Sequence, residues 1–227
     1  MSLNIAKSEH WIFDLDNTLY SADCRLFHQV DIRMRNFIAD YLDLNEEDAR
    51  KLQKRYFREF GTTLNGLMQN HKMKPEAFLE YVHDIDVNVV PPNPSLENSL
   101  SRLPGQKLVF TNGTSEHAGR VMKRLGIEHH FDCVFDIFAT DFIPKPGIAG
   151  YRRLIENCAI NPHKSVMVED VACNLEPAKN LGMETVLVTN SYEWSGEDKE
   201  AKYIDHRVNN LTRWLGKLSD SLYGSES

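Results

Sequence analysis

Two carboxylates one residue apart, Asp14 and Asp16, stand in the run Phe13-Asp14-Leu15-Asp16-Asn17-Thr18-Leu19. Such a pair can divide one reaction between two acids. Asp14 can attack phosphorus as a nucleophile if a cation neutralises its site, since a carboxylate approaching a phosphate dianion must overcome like-charge repulsion. Asp16 turns away from the Asp14 side chain; it is placed to protonate the leaving oxygen and later to take a proton from water. Taken alone, the run serves equally as a polar turn, because Asp, Asn and Thr are favoured in turns through local hydrogen bonds.

Three downstream clusters extend that chemistry. Thr111-Asn112-Gly113-Thr114 offers a hydroxyl and successive N–H groups that suit phosphate oxygens. Lys145 lies between Pro144 and Pro146, which fix the backbone and can hold an ammonium against phosphate and Asp14. Glu169-Asp170, with Asn174 four residues on, supplies hard oxygen ligands that describe a magnesium site with Asp14 opposite. Each cluster also has a plainer reading: a strand-to-helix turn, a solvated lysine, an acidic start to the helix Ala172–Leu181. All of the plain readings would have to hold together, and in this order.

The elements must bring these side chains to one place. Trp11-Ile12-Phe13, Lys107-Leu108-Val109-Phe110 and Ser165-Val166-Met167-Val168 read as short buried strands. Asp14, Thr111 and Glu169-Asp170 follow directly, at the carboxyl ends where a parallel sheet places its ligand sites. Between Asp16 and Thr111 the pattern turns helical. Phe27, Val30, Met34, Phe37, Ile38 and Tyr41 have helical spacing; Asn45 caps a second helix that Gly61 can end; Pro75 opens another. Val90-Pro91-Pro92-Asn93-Pro94 is a stiff joint back to a region where helices and strands alternate. The expected architecture is an α/β fold: a Rossmann-like parallel sheet core of residues 1–20 and 96–227, with an inserted helical cap over 21–95. The cap would shut out water during attack and carry specificity. Ala201 to Val208 reads as an edge strand, Leu211 to Leu218 as a last helix, and Ser219 to Ser227 as a frayed tail.

These motifs resemble those of the haloacid dehalogenase-like hydrolase superfamily, matched here by Asp14-Leu15-Asp16-Asn17-Thr18, Thr111, Lys145-Pro146 and Glu169-Asp170. The resemblance implies a magnesium-dependent phosphotransferase in which Asp14 forms an aspartyl-phosphate. Asp16 would be the acid/base and give its backbone carbonyl to the metal; Thr111 and Lys145, with Asn112 and Gly113, would hold phosphate. Asp170 would ligate the metal directly and Glu169 through water or by orienting its neighbour. Gly147 departs from the pattern, where relatives often carry a larger or acidic residue. A dehalogenase is disfavoured, since that chemistry needs neither Asp16 nor a cation.

Within the cap, Phe60-Gly61-Thr62-Thr63-Leu64-Asn65-Gly66-Leu67 reads as a polar loop in which two glycines frame two hydroxyls, able to approach a ligand or simply to connect helices. Together with Asp14 to Tyr20 it resembles the pyrimidine 5'-nucleotidase branch. That implies UMP or CMP as substrate, with Thr62 and Thr63 as cap contacts. A sugar-phosphate or broad-specificity phosphatase and a non-catalytic regulatory binding protein are the alternatives. Tyr20 stands either near the substrate entrance or in packing, and His129-His130 reads as a loop.

Composition bounds the partners. The 227 residues exceed one mean domain, and a net charge of −7 with no clustered basic face argues against a nucleic-acid footprint. The four cysteines lack Cys-x-x-Cys spacing, so neither a zinc site nor a disulfide framework is expected, and a reducing cytoplasm is the inferred location. No apolar run reaches membrane-spanning length, the start has no signal-peptide pattern, and the oligomeric state is open.

Overall fold

A computed structural model of the chain describes residues 5–190 and 200–223. Strand β1 (His10–Phe13) is buried throughout, as suits the middle of a parallel sheet covered on both faces. It is joined by β2 (Gln106–Phe110), β3 (Cys133–Phe135), β4 (Ser165–Glu169), β5 (Glu184–Val188) and β6 (His206–Val208). The order is β3-β2-β1-β4-β5-β6, with every pair parallel. β1 is the switch point. Phe13 lies level with Val109 of β2 and Val168 of β4, so the residues after all three strands emerge side by side.

Alternate residues along the strands feed two cores. Trp11, Phe13, Val109 and Val168 pack with residues of α5 (Pro94–Ser101), α6 (Ser115–Leu125) and α9 (Leu211–Tyr223). Ile12, Leu108, Phe110 and Met167 pack on the other face with residues of α7 (Ile148–Asn157) and α8 (Ala172–Asn180). The α6 pattern is typical of how the sequence specifies these layers: Ala118, Val121, Met122 and Leu125 recur along one side and are buried, Thr114 caps the start, and Gly126 ends the helix at φ 79°.

The segment between β1 and β2 forms α1 (Leu26–Leu42), α2 (Glu46–Phe60), α3 (Thr63–His71) and α4 (Pro75–His83). α2 packs on α1 and α3, and α4 on α1. Asn45 caps α2 by accepting from the Asp48 N–H at 2.9 Å, as its sequence position leads one to expect. The run Phe60 to Leu67 is not a loop. Only Gly61 and Thr62 separate the helices; Thr62 Oγ1 accepts from Asn65 N–H at 3.1 Å and so starts α3. Gly66 lies inside that helix because a Cβ there would stand 2.3 Å from Tyr56 Cγ: the glycine serves close helix packing rather than a turn.

Two other expectations change at the far edge. Residues 201–205 turn instead of pairing, with Ile204 N–H donating to Ala201 O and the Asp205 carboxylate accepting from Thr185 and Lys179, which leaves a strand of only His206–Val208. The final helix runs on to Tyr223, with Ser219 fully buried, so the chain is not frayed from Ser219; residues 224–227 lie outside the described residues. His129 and His130 sit in a 3-10 turn, Glu128–His130. Among the described residues no helix is long and apolar enough to cross a membrane. All four cysteines are free, Cys133 and Cys158 lying 3.8 Å apart at sulfur.

Candidate active site

At the carboxyl ends of β1, β2 and β4 the polar residues that follow the apolar runs converge. Asp14 is fixed by its own N–H, which donates to Val168 O across the β1–β4 boundary at 2.8 Å. The chain then turns tightly, with Asn17 at φ 59°, a conformation Asn tolerates better than most residues.

Lys145 reaches this point from the loop before α7 and is 1% exposed. Its ammonium spends three protons on Asp14 Oδ1 at 2.6 Å, Glu169 Oε2 at 2.7 Å and Phe110 O at 2.8 Å. Burial alone would push its pKa down, but Asp14 and Glu169 outweigh burial and raise it, so the lysine stays charged. Asn112 clamps the same loop: its Oδ1 accepts from Lys145 N–H at 2.8 Å and its Nδ2 donates to Lys145 O at 3.3 Å. The Asn112 side chain therefore serves the lysine, not an open ligand position. Thr111 Oγ1 accepts from Gly113 N–H at 2.9 Å, which occupies that N–H and leaves the hydroxyl proton to give away.

Glu169 belongs to the buried core of the site and does not merely cap a helix. Its Oε1 accepts from the N–H groups of Asp170 and Val171, its Oε2 from Lys145 and Asn174. Ligand atoms of Asp14, Glu169 and Asp170 lie within 4.8 Å of one another. With both oxygens of Glu169 saturated, Asp14 and Asp170 are the two suited to hold a cation. Asp14 Oδ1 faces Lys145 and Asp170 Oδ2 accepts from Asn190 at 3.0 Å; their other oxygens carry no protein hydrogen bond among the described residues.

The charges point the same way. Three buried carboxylates face one lysine. Burial first, and then the Glu169 charge, push Asp14 up to about 7, against partial relief from Lys145; burial, Glu169 and Asp14 push Asp170 up as well. A hard divalent cation would remove that excess negative charge, so the residues fit an oxygen-ligated metal.

Asp16 differs from its neighbours. Burial raises its pKa, but the charge and hydrogen bond of His117, then the hydrogen bond of Tyr20, outweigh burial and lower it. At rest it is a carboxylate, the form able to accept a proton. To act as an acid it would first have to gain a proton, which an anion held nearby would favour by raising its pKa.

Tyr20 Oη donates to Asp16 Oδ1 at 2.6 Å, so the tyrosine belongs to the site. His117, in the first turn of α6, approaches the same oxygen through Nε2 at 2.9 Å. His83, at the end of α4, stacks on His117 with centroids 4.5 Å apart and planes 7° apart, and burial pushes its pKa down to about 3, so it is neutral. The sequence reading missed both histidines. A histidine three residues after Thr114 on a helix start is the only local signal, and nothing local ties it to an acid 101 residues away.

Above the acids lies a cavity of about 140 Å³. Asp14, Asp16, Thr111 and Lys145 form its floor, and the inserted helices its walls, with Phe27, Met34, Phe57 and Phe78 beside Thr62 and Thr63. Gly61, at φ 79°, lets the wall approach the floor: a Cβ there would stand 3.2 Å from Lys145 O.

Comparison with known proteins gives the same outline. Residues 11–188 match the family model described as haloacid dehalogenase-like hydrolase. Phosphate metabolism protein 8 of Saccharomyces cerevisiae is 26% identical over 216 residues, 87% of this chain and 66% of that protein, so the chain spans just under two thirds of its length. Among solved structures, a HAD phosphatase from Thermococcus onnurineus is similar at a TM-score of 0.61 and 20% identity, covering 96% of this chain and 99% of its own. L-2-haloacid dehalogenase from Xanthobacter autotrophicus with chloropropionic acid covalently bound is similar at 0.59 and 17%, covering 97% and 100%.

Proposed function

This chain belongs to the haloacid dehalogenase-like hydrolases, and from that premise we propose that it is a magnesium-dependent phosphomonoesterase acting through an aspartyl-phosphate on Asp14. The observation that carries this reading is the buried cluster in which Lys145 bridges Asp14 and Glu169 while Asp170 stands beside them. A dehalogenase releases halide, which needs no proton from an acid, so the double hydrogen bond that holds Asp16 favours phosphoryl chemistry.

In the first half-reaction an Asp14 oxygen bonds to phosphorus as the ester oxygen departs, and Asp16 supplies the proton that neutralises that oxygen. In the second, Asp16 takes a proton from water, the resulting hydroxide bonds to phosphorus, and the Asp14–phosphorus bond breaks to release inorganic phosphate. Asp14, Asp170 and the Asp16 carbonyl would hold Mg²⁺, which supplies charge neutralisation between nucleophile and phosphate. Thr111 gives its hydroxyl proton to a phosphoryl oxygen, and Lys145 contributes its fixed charge.

The proposed substrate is a pyrimidine nucleoside 5'-monophosphate, UMP or CMP. The small chamber, its aromatic walls and the paired hydroxyls of Thr62 and Thr63 support a compact planar group over a phosphorylated sugar. The name of the yeast relative and the phosphatase among the structural neighbours are in keeping with ester hydrolysis. A panel of phosphomonoesters with saturating Mg²⁺ tests the reading: UMP and CMP should be hydrolysed faster than AMP, GMP or hexose phosphates at equal low concentration. Preference for purine nucleotides or hexose phosphates overturns the substrate; full turnover in EDTA overturns the mechanism.

A further inference from the structure

Asp16 receives two hydrogen bonds on one oxygen. Tyr20 Oη and His117 Nε2 both meet Oδ1, at 2.6 and 2.9 Å, while Oδ2 has no protein partner among the described residues. Because an ionised carboxylate only accepts, His117 must carry a proton on Nε2. Two convergent donors, one from the turn after β1 and one from α6, fix the carboxylate plane and leave Oδ2 as the oxygen free to act.

His117 is itself supported. Its backbone N–H donates to Thr114 Oγ1 at 3.2 Å, and its ring lies flat against that of His83. Arg120, one turn along α6, donates to the carbonyls of His83 and Ile85 at 2.9 and 2.7 Å and so ties the end of α4 to α6. The ring that backs His117 thus arrives on the inserted helices, whereas His117 and Asp16 belong to the sheet side.

We propose that Tyr20 and His117 are positioning residues that hold Asp16 with Oδ2 toward the scissile ester oxygen, and that His83 completes this support when α4 is seated on α6. The proposal rests on the phosphomonoesterase reading above. It makes a demand that a purely structural role would not make: in kcat/KM, which reports the steps up to departure of the ester oxygen and not the later hydrolysis of the aspartyl-phosphate common to all esters, losses should follow the leaving group, because in that half-reaction only a poor leaving group needs a well-placed proton.

The test compares p-nitrophenyl phosphate with a simple alkyl phosphate, both with Mg²⁺, in kcat/KM. Tyr20→Phe and His117→Ala should lower kcat/KM for the alkyl ester by about tenfold or more and lower it for p-nitrophenyl phosphate by a much smaller factor. His117→Gln, whose amide nitrogen can stand near the lost Nε2, should recover most of the alkyl-ester rate. His83→Ala should repeat the pattern more weakly. If His117→Ala does not fold, Tyr20→Phe, which keeps the ring, and His117→Gln decide the matter. Equal losses of kcat/KM on both esters, or no loss, would overturn the positioning role while leaving the phosphatase reading intact. A wild-type protein inactive on both esters would refute the phosphatase reading and this proposal with it.

Discussion

Removing Lys145 would strand two buried carboxylates. Breaking a buried ion pair by deleting one partner costs about 3–5 kcal/mol, so Lys145→Met should be strongly destabilised in urea unfolding. The loss should be smaller at pH 5 than at pH 8, since Asp14, already pushed up to about 7, can take a proton and shed its charge. A loss that is small at both pH values would contradict the bridging role. Asp14→Asn should abolish both turnover and covalent phosphate. In kcat/KM, Asp16→Asn should retain part of the p-nitrophenyl phosphate value and lose about 10²–10⁴-fold on esters with poor leaving groups. Equal losses for the two esters would contradict the division between nucleophile and acid. At this scale the sequence was readable where an apolar run announced a strand end: Asp14, Thr111 and Glu169-Asp170 all follow such runs. His117 was not, because its partner is set by how α6 lies against the β1 turn, a relation that no spacing in the chain records; Tyr20 is only four residues from Asp16, but it takes the tight turn between them to bring the hydroxyl back onto that oxygen.

Among the elements, α3 changes how cap specificity should be tested. Thr62 is an N-cap, so Thr62→Val should cost about 1 kcal/mol of stability, measured by chemical denaturation, whereas Thr62→Ser should cost little. Equal stability of the valine variant would show the cap bond to be idle. Thr63, buried and donating to Gln53 O at 3.4 Å, is the better specificity probe: Thr63→Val should lower UMP or CMP turnover more than p-nitrophenyl phosphate turnover. The helices α1, α2 and α4 were legible from apolar spacing and caps. α3 was not, because Gly66 reads as a breaker in the sequence, and only its contact with Tyr56 explains a glycine inside a helix. The overlong edge strand has a similar cause: residues 201–205 look extended in pattern but are drawn into a turn by Asp205 and its partners.

For the molecule as a whole, the acid cluster links stability to pH and metal. Asp14 and Asp170 both have raised pKa values, so the metal-free folded protein keeps protons that the unfolded chain releases above pH 3.8. On these two acids the native state binds more protons through that window, so their contribution to stability falls as pH rises from about 4 toward 7, then levels off for Asp14. Mg²⁺ would take over the neutralisation, and it should raise the thermal midpoint more at pH 8 than at pH 5. Equal shifts at the two pH values would speak against metal binding by these acids.

The position of β1 has a further consequence, for the order of folding. Of this sheet's described strands β1 is the first to be synthesised, yet its partners are Gln106–Phe110 and Ser165–Glu169, so neither edge can pair until those segments exist. The four inserted helices touch one another over short sequence distances and pass no such barrier. In pulse-labelled hydrogen exchange during refolding, amides of α1 to α4 should therefore gain protection before those of His10–Phe13. The strand that leads into Asp14, the proposed nucleophile, would be among the last to settle, and until then it is an unpaired apolar segment that a growing chain must shield from its neighbours.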